Sequence, residues 1–109
     1  MDYKNKIIIE VMFRKHDCPI CYYMDEAVLD IMPDYQGSVD YRRVDITREE
    51  GKNRFLELSV SLFGEEGVYK KLRIAPLPSL FINGELIFES IPSRPELEEA
   101  LDETIAKQA

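Results

Sequence analysis

The sequence predicts an α/β domain in which a four-stranded mixed sheet carries helices on both of its faces. Three observations lead to this fold class: two β-branched apolar runs separated by a helical pattern, an Asn-Gly turn between two further apolar runs, and a capped helical pattern at the end. A right-handed β-α-β unit extended by an antiparallel hairpin is a compact way to build such a sheet. The predicted order is therefore β-α-β, helix, β-hairpin, helix.

Length and charge narrow the class of protein. The 109 residues are enough for one domain, residues 1–109, with its own core. The net charge of -7 argues against nucleic acid, whose phosphates require clustered Lys and Arg, and against anionic membranes. No apolar stretch approaches transmembrane length, and two cysteines do not make the disulfide framework of a secreted protein. We expect a cytoplasmic monomer that binds neither nucleic acid nor membrane.

The first strand is predicted over residues 6–13, which are β-branched and almost continuously apolar. Such a run is typical of a central strand that is covered on both faces. Glu10 is its one discordant position, and we expect it either to pair with Arg42 or Arg43 on the neighbouring strand or to lie near the solvent-exposed end of the strand. A role for Glu10 as proton acceptor for Cys21 is the alternative.

A helix follows, because apolar residues recur at helical spacing. They are Cys21, Met24, Val28, Ile31 and Met32, and the pattern assigns Asp25 to another face. Pro19 fits the first turn of this helix, where its missing N–H does no harm, and Pro33 ends it. The composition of residues 39–46 then predicts the second strand.

The second helix is predicted from a capping-box spacing, Thr47 with Glu50. Residues 55–63 fit both an alternating strand and a helical stripe. Helix is favoured because a crossover must follow the second parallel strand. Residues 64–67 contain two glycines and predict a break, with a short helical turn over 68–72.

The last third of the chain predicts a hairpin and a helix. Residues 79–82 and 85–88 flank Asn83-Gly84, and Asn-Gly between two apolar runs is the strongest short-range hairpin signal. Ser93 and Glu96 then form a second capping box, which predicts the start of the final helix.

Cys18-Pro19-Ile20-Cys21 is the motif that carries chemistry, because a strand precedes it and a helix follows it. Thiol–disulfide exchange requires an accessible thiolate and a second thiol close to it. Unpaired N–H groups at the helix start favour a Cys18 thiolate. Asp17 would oppose this effect. Arg14, Lys15 and His16 would support it if their side chains fold back towards the sulfur. A zinc site is the rival interpretation, but it needs four ligands and only His16 remains as a third.

The chain resembles the thioredoxin superfamily through three segments: Cys18-Pro19-Ile20-Cys21 after the first strand, Leu77-Pro78-Ser79 before the hairpin, and Asn83-Gly84-Glu85 at its turn. The resemblance implies that Cys18 is the nucleophile and Cys21 the resolving thiol. It also implies that Pro78 is a cis-proline lying against the cysteine pair and that Leu77 offers its backbone to substrate. Pro19 and Ile20, between the cysteines, are expected to contact the substrate as well.

The chain also departs from the family patterns. Asp17 stands where thioredoxins usually have tryptophan, and Met12 stands where they have a buried aspartate. Pro19-Ile20 is closer to the motif of glutaredoxins, yet Ser90-Ile91-Pro92-Ser93 replaces their glutathione-binding Gly-Gly and acidic residue. Residues 48–68 form a longer segment than a minimal member needs.

These observations predict a thiol:disulfide oxidoreductase that reduces protein disulfides through Cys18 and Cys21. It would need no cofactor or metal beyond the cysteine pair, and a donor such as a thioredoxin reductase or glutathione would reduce it again. A glutathione-dependent, glutaredoxin-like reductase is the first alternative. The others are a non-catalytic redox-sensing or binding module that uses residues 48–68, and a metal-binding dimer bridged through two Cys-x-x-Cys pairs.

Overall fold

The computed structural model describes residues 6–15 and 18–108. Its four strands are β1 (Ile7–Phe13), β2 (Val39–Asp45), β3 (Ser79–Ile82) and β4 (Glu85–Phe88). Its α-helices are α1 (Pro19–Ile31), α2 (Glu49–Tyr69) and α3 (Arg94–Gln108), and a 3-10 turn, Met32–Tyr35, follows α1. The predicted order of elements is confirmed.

The strands form one mixed sheet in the order β2-β1-β3-β4. β1 pairs in parallel with β2, from Ile7 opposite Val39 to Phe13 opposite Asp45. β3 is antiparallel to both β1 and β4, with Met12 opposite Ser79. Because β1 and β2 are parallel, their carboxyl ends meet at one edge of the sheet, and the chain runs from there towards Cys18.

Side chains of β1 alternate between two cores, one on each face of the sheet. The core under α1 and α3 contains Ile7, Ile9, Val11, Phe13, Cys21, Met24, Val28, Ile31, Val39, Leu80, Ile82, Leu97 and Leu101. The core under α2 contains Met12, Val44, Phe55, Leu58, Ala75 and Phe81. Helices therefore cover both faces of the sheet, as predicted.

The buried face of α1 is wider than the apolar stripe suggested. Asp25 is only 5% exposed and lies among the buried residues of this helix, so its assignment to another face was wrong. It follows Cys21 by four residues, and residues four apart share a helix face. Pro33 lies in the 3-10 turn that continues α1.

The start of α2 differs from the predicted capping box. The N-cap is Arg48, and no side chain among the described residues caps this end. Thr47 instead donates its N–H and Oγ1–H to Asp45 Oδ1, at 3.0 and 2.6 Å. The Asp45 carboxylate lies two residues earlier and accepts both bonds locally, so the Thr47 side chain does not cap the helix.

The middle of α2 resolves the ambiguity over residues 55–63 in favour of helix. Phe55 and Leu58 face the core, and the predicted break falls at Gly64, whose φ of 76° and ψ of 164° interrupt the helical backbone. The helix resumes and ends at Tyr69, so the short turn predicted over 68–72 is only partly helical. No helix within the described residues is long and apolar enough to cross a membrane.

The hairpin and the final helix form as predicted. Asn83 and Gly84 both have positive φ, 51° and 82°, which is the backbone that an Asn-Gly turn supplies. Ser93 N–H donates to Glu96 Oε1 at 2.8 Å, and Glu96 N–H donates to Ser93 Oγ at 3.3 Å. The second capping box is therefore confirmed.

We predict that Gly51→Ala destabilises the protein, although alanine is the better helix former. A Cβ on Gly51 would lie 1.9 Å from the carbonyl oxygen of Asp45, so α2 could not keep its close approach to the end of β2. We expect a loss of about 1–3 kcal/mol in the free energy of unfolding, measured by urea denaturation. Asn53→Ala, an exposed position on the same helix, serves as the control and should change stability by less than about 0.5 kcal/mol. A Gly51→Ala protein as stable as the wild type would contradict the close packing of Gly51 against the Asp45 carbonyl.

Candidate active site

Cys18 and Cys21 form a disulfide at the start of α1, with Cα atoms 5.2 Å apart. Cys18 is the N-cap of the helix, and its Sγ accepts a hydrogen bond from Cys21 N–H at 3.2 Å. Cys18 is partly exposed, whereas Cys21 is fully buried in the core under α1 and α3. Of the two sulfurs, the one on Cys18 is therefore the one that a partner can reach.

The helix end supplies the electrostatic part of the site. Pro19 occupies the first position of α1, no acidic residue lies in the first turn, and the N–H of Cys21 points at the sulfur of Cys18. N–H groups and the positive end of the helix dipole stabilise negative charge at this position. The predicted influences of His16 and Asp17 on Cys18 concern residues that lie outside the described part of the chain.

Leu77 and Pro78 precede β3 at the same end of the sheet. The Leu77–Pro78 peptide bond is cis. Pro78 is buried, and Leu77 packs against the core under α2. The next residue, Ser79, is opposite Met12, one residue before the end of β1. The chain continues from that end of the strand to Cys18. The structure thus brings both residues to the edge from which α1 begins, while their contact with substrate stays a prediction.

The surface next to the disulfide is apolar and accessible. Pro19 is exposed, Ile20 is 53% exposed, and Tyr22 and Tyr23 are 40% and 59% exposed. The ring of Tyr22 is nevertheless anchored, because it meets the ring of Phe13 edge to face with centroids 5.5 Å apart. Clustered exposed apolar side chains are typical of a surface that meets another protein. The substrate contacts of Pro19 and Ile20 stay predictions.

An ion pair between a buried carboxylate on α1 and a partly exposed arginine on β2 was missed by sequence reasoning. Arg43 on β2 donates from Nε and Nη2 to the two carboxylate oxygens of Asp25 on α1, at 2.8 and 2.9 Å. Tyr41 Oη also donates to Asp25, and burial together with this bond raises the pKa of Tyr41, which keeps the phenol protonated. The guanidinium of Arg43 lies 5.7 Å from the ring centroid of Phe13. The one available signal was the position of Asp25 four residues after Cys21.

The predicted pairing of Glu10 with Arg42 or Arg43 was wrong. Glu10 is 3% exposed and accepts two hydrogen bonds from Arg54 on α2, Nε to Oε2 at 2.7 Å and Nη2 to Oε1 at 2.8 Å. The hydrogen bond with Glu10 raises the pKa of Arg54 and outweighs the opposing effect of burial. Strand alternation turns Glu10 towards α2, whereas Cys21 lies in the core on the other face.

Within residues 6–15 and 18–108, no group of three or more His, Cys, Asp or Glu side chains could hold a metal ion.

Comparison with known proteins identifies the fold. No family model and no curated protein matches the sequence. Among solved structures, a chloroplastic thioredoxin z has a TM-score of 0.61 at 15% identity, over 94% of this chain and 81% of that one. Thioredoxin O2 from Arabidopsis thaliana has a TM-score of 0.61 at 16% identity, over 92% of this chain and 76% of that one. Thioredoxin-2 of the malaria parasite has a TM-score of 0.59 at 16% identity, over 91% and 84%.

The chain therefore has the thioredoxin fold, with a disulfide of Cys-x-x-Cys spacing at the start of its first helix. The fold that the sequence resemblance implied is confirmed.

We predict that Glu10→Gln lowers stability without slowing the step in which Cys21 resolves a mixed disulfide. The substitution removes a buried charge opposite Arg54, at an expected cost of about 1–3 kcal/mol in unfolding free energy. Glu57→Gln is the matched control, because Glu57 bonds the same arginine but is 67% exposed, and its loss should cost less than about 0.5 kcal/mol. Urea denaturation and stopped-flow kinetics measure the two effects. If Cys21 resolves the mixed disulfide more slowly in Glu10→Gln than in Glu57→Gln, Glu10 would instead be assigned as the proton acceptor for Cys21.

Proposed function

We propose that this protein, which has the thioredoxin fold, is a thiol:disulfide oxidoreductase whose substrates are protein disulfides. The observation that carries the proposal is the Cys18–Cys21 disulfide at the start of α1, with one sulfur partly exposed and the other buried. A thioredoxin-like fold with such a pair supports this class of activity at the level of the superfamily.

The reaction begins from the reduced dithiol. The Cys18 thiolate attacks one sulfur of the substrate disulfide, that S–S bond breaks, and the departing thiolate takes a proton from water. Cys21 then loses its proton to solvent and attacks the Cys18 sulfur of the mixed disulfide. The substrate leaves as a dithiol, and the Cys18–Cys21 disulfide forms. Two electrons pass to the substrate, and a thiol or dithiol donor returns two electrons to the protein.

The geometry suits an extended protein segment as substrate. We propose that the backbone of Leu77, with the buried Pro78 behind it, forms one wall of the substrate site. Pro19 and Ile20 form the other, since both are exposed beside the disulfide. A protein substrate is favoured over glutathione because Ser90-Ile91-Pro92-Ser93 stands where glutaredoxins carry their glutathione-binding signature.

The remaining parts of the proposal come from sequence. A monomer in the cytoplasm, re-reduced by a thioredoxin reductase or by glutathione, is still what the composition and the motif predict. The described chain and its neighbours support the fold and the general chemistry of the pair.

We predict that the wild-type protein accelerates reduction of insulin disulfides by dithiothreitol, measured by turbidity. Cys18→Ser should react at the background rate, because the buried Cys21 cannot reach the substrate. Cys21→Ser should accumulate a mixed disulfide through Cys18, detectable by mass spectrometry and reversed by dithiothreitol.

The same assay separates the alternatives. A wild-type rate equal to background would mean a non-catalytic binding module. Reduction by glutathione, coupled to glutathione reductase and NADPH, that is faster than reduction by a thioredoxin reductase would indicate the glutaredoxin-like enzyme instead.

We also predict that reduced Cys18 is more acidic than a free cysteine, whose pKa is about 8.5. The N–H of Cys21 and the start of α1 favour the thiolate over the thiol. The rate of iodoacetamide alkylation in Cys21→Ser, followed over pH, reports this titration. A midpoint at the free-cysteine value would show that the helix start does not activate Cys18.

A further inference from the structure

The segment that leads from α2 to β3 is tied to the middle of α2 by a buried hydrogen bond. Ala75 N–H donates to Ser59 Oγ at 2.9 Å, and the two residues are 1% and 0% exposed. Ser59 lies four residues after Phe55, so both side chains project from the core-facing side of α2. Burying a hydroxyl among apolar side chains costs free energy unless it is hydrogen-bonded. This bond satisfies the hydroxyl of Ser59 and the N–H of Ala75 together.

The residues between Ala75 and β3 offer few other hydrogen bonds that could fix them. Pro76 and Pro78 have no N–H, and β3 begins only at Ser79. Within the described residues, no hydrogen bond uses the N–H or the C=O of Leu77. The bond to Ser59 is therefore the hydrogen bond that holds this part of the chain just before Leu77.

Ala75 is close enough to Leu77 for this bond to set the position of the Leu77 backbone. Two residues of chain span at most about 7 Å. Ala75 is buried in the core under α2, and the side chain of Leu77 packs against the same core. After Leu77 the chain enters β3 at the end of the sheet where α1 begins with Cys18. A displacement of Ala75 would therefore reach Leu77, whereas Cys18 belongs to a different element.

We infer that Ser59 is a positioning residue of the substrate site: through Ala75, its hydroxyl holds the backbone of Leu77 where an extended substrate segment aligns with it. This inference rests on the proposed function, in which Leu77 forms one wall of the site. Without the Ser59 oxygen, the buried N–H of Ala75 has no partner, and the segment shifts to satisfy it. A small displacement of positioning groups is enough to slow a reaction that depends on them.

Two disulfides with the same reacting group test the inference. One is the 2-thiopyridyl disulfide of a cysteine within an unstructured peptide, and the other is that of 2-mercaptoethanol, which has no peptide backbone. Both release thiopyridone when the reduced protein attacks, and this release gives a second-order rate constant. We expect Ser59→Ala to slow the reaction with the peptide about threefold to tenfold. The rate with the 2-mercaptoethanol disulfide should change by less than about 1.5-fold, because that reaction does not use Leu77.

Two further variants separate positioning from packing and from overall stability. Ser59→Thr keeps the acceptor oxygen but disturbs the packing at the same buried place, so we expect it to retain more of the peptide rate than Ser59→Ala. Val39→Ala removes part of a buried side chain at the opposite end of the sheet, where Val39 is opposite Ile7 at the start of β1. It should lower the urea midpoint of unfolding and leave both rates unchanged.

Each other outcome has a definite meaning. An unchanged peptide rate in Ser59→Ala, equal slowing with both disulfides, or the same loss in Ser59→Thr as in Ser59→Ala would overturn the inference and leave the proposed function intact. Selective slowing of the peptide reaction in Val39→Ala would also overturn it, because the effect would then follow from stability. If the wild type releases no thiopyridone from either disulfide, the proposed function itself is rejected.

Discussion

The placement of Cys18 at the N-cap of α1 is the constraint on which the candidate site depends. This position leaves its sulfur at the helix end, where it accepts a hydrogen bond from the N–H of Cys21, and puts Cys21 one turn inside the core. The parallel pairing of β1 with β2 and the antiparallel pairing of β1 with β3 bring three chain segments to that end of the sheet. Topology thus brings the cysteines, Leu77 and Pro78, and the end of β2 to the same end of the sheet.

Two buried carboxylates fix the helices on this frame. Asp25 joins α1 to β2 through Arg43, and Glu10 joins β1 to α2 through Arg54. Removing a carboxylate from water is costly, so each is held by two hydrogen bonds from an arginine that remains 39–48% exposed. Partial exposure of the arginines reduces the desolvation cost of each pair. The pairs orient the helices, and by occupying Glu10 they leave Arg42 without its register partner.

Met12, which stands where thioredoxins have a buried aspartate, is fully buried in the core under α2, together with Phe55 and Phe81. An apolar side chain there cannot accept a proton from the resolving thiol. Glu10 lies two residues earlier on the same face of β1, but both oxygens of its carboxylate are bonded to Arg54, so we expect a structural role for it. In the proposed reaction, the thiol chemistry of the pair would then depend on the helix end and on solvent.

The sequence by itself determined the elements whose signals are local. The apolar run of β1, the Asn83-Gly84 turn and the Ser93–Glu96 cap depend on residues close together in the chain, and all three are confirmed. The order of elements and the Cys-x-x-Cys spacing then sufficed for the fold and for the location of the candidate site. Residues 55–63 were assigned to a helix by a topological argument, because the spacing of their apolar residues fits a strand and a helix equally well.

Only the tertiary structure decided which charged groups meet. Glu10 and Arg54 are 44 residues apart, and Asp25 and Arg43 are 18 apart, so no local pattern distinguishes these pairs from Glu10 with Arg42. Likewise, the Thr47 hydroxyl does not cap α2 because it donates its hydrogen bond to Asp45 instead. Each choice is made by the distance between groups after packing, since a charge–charge interaction depends on spatial separation and solvent access rather than on position along the chain.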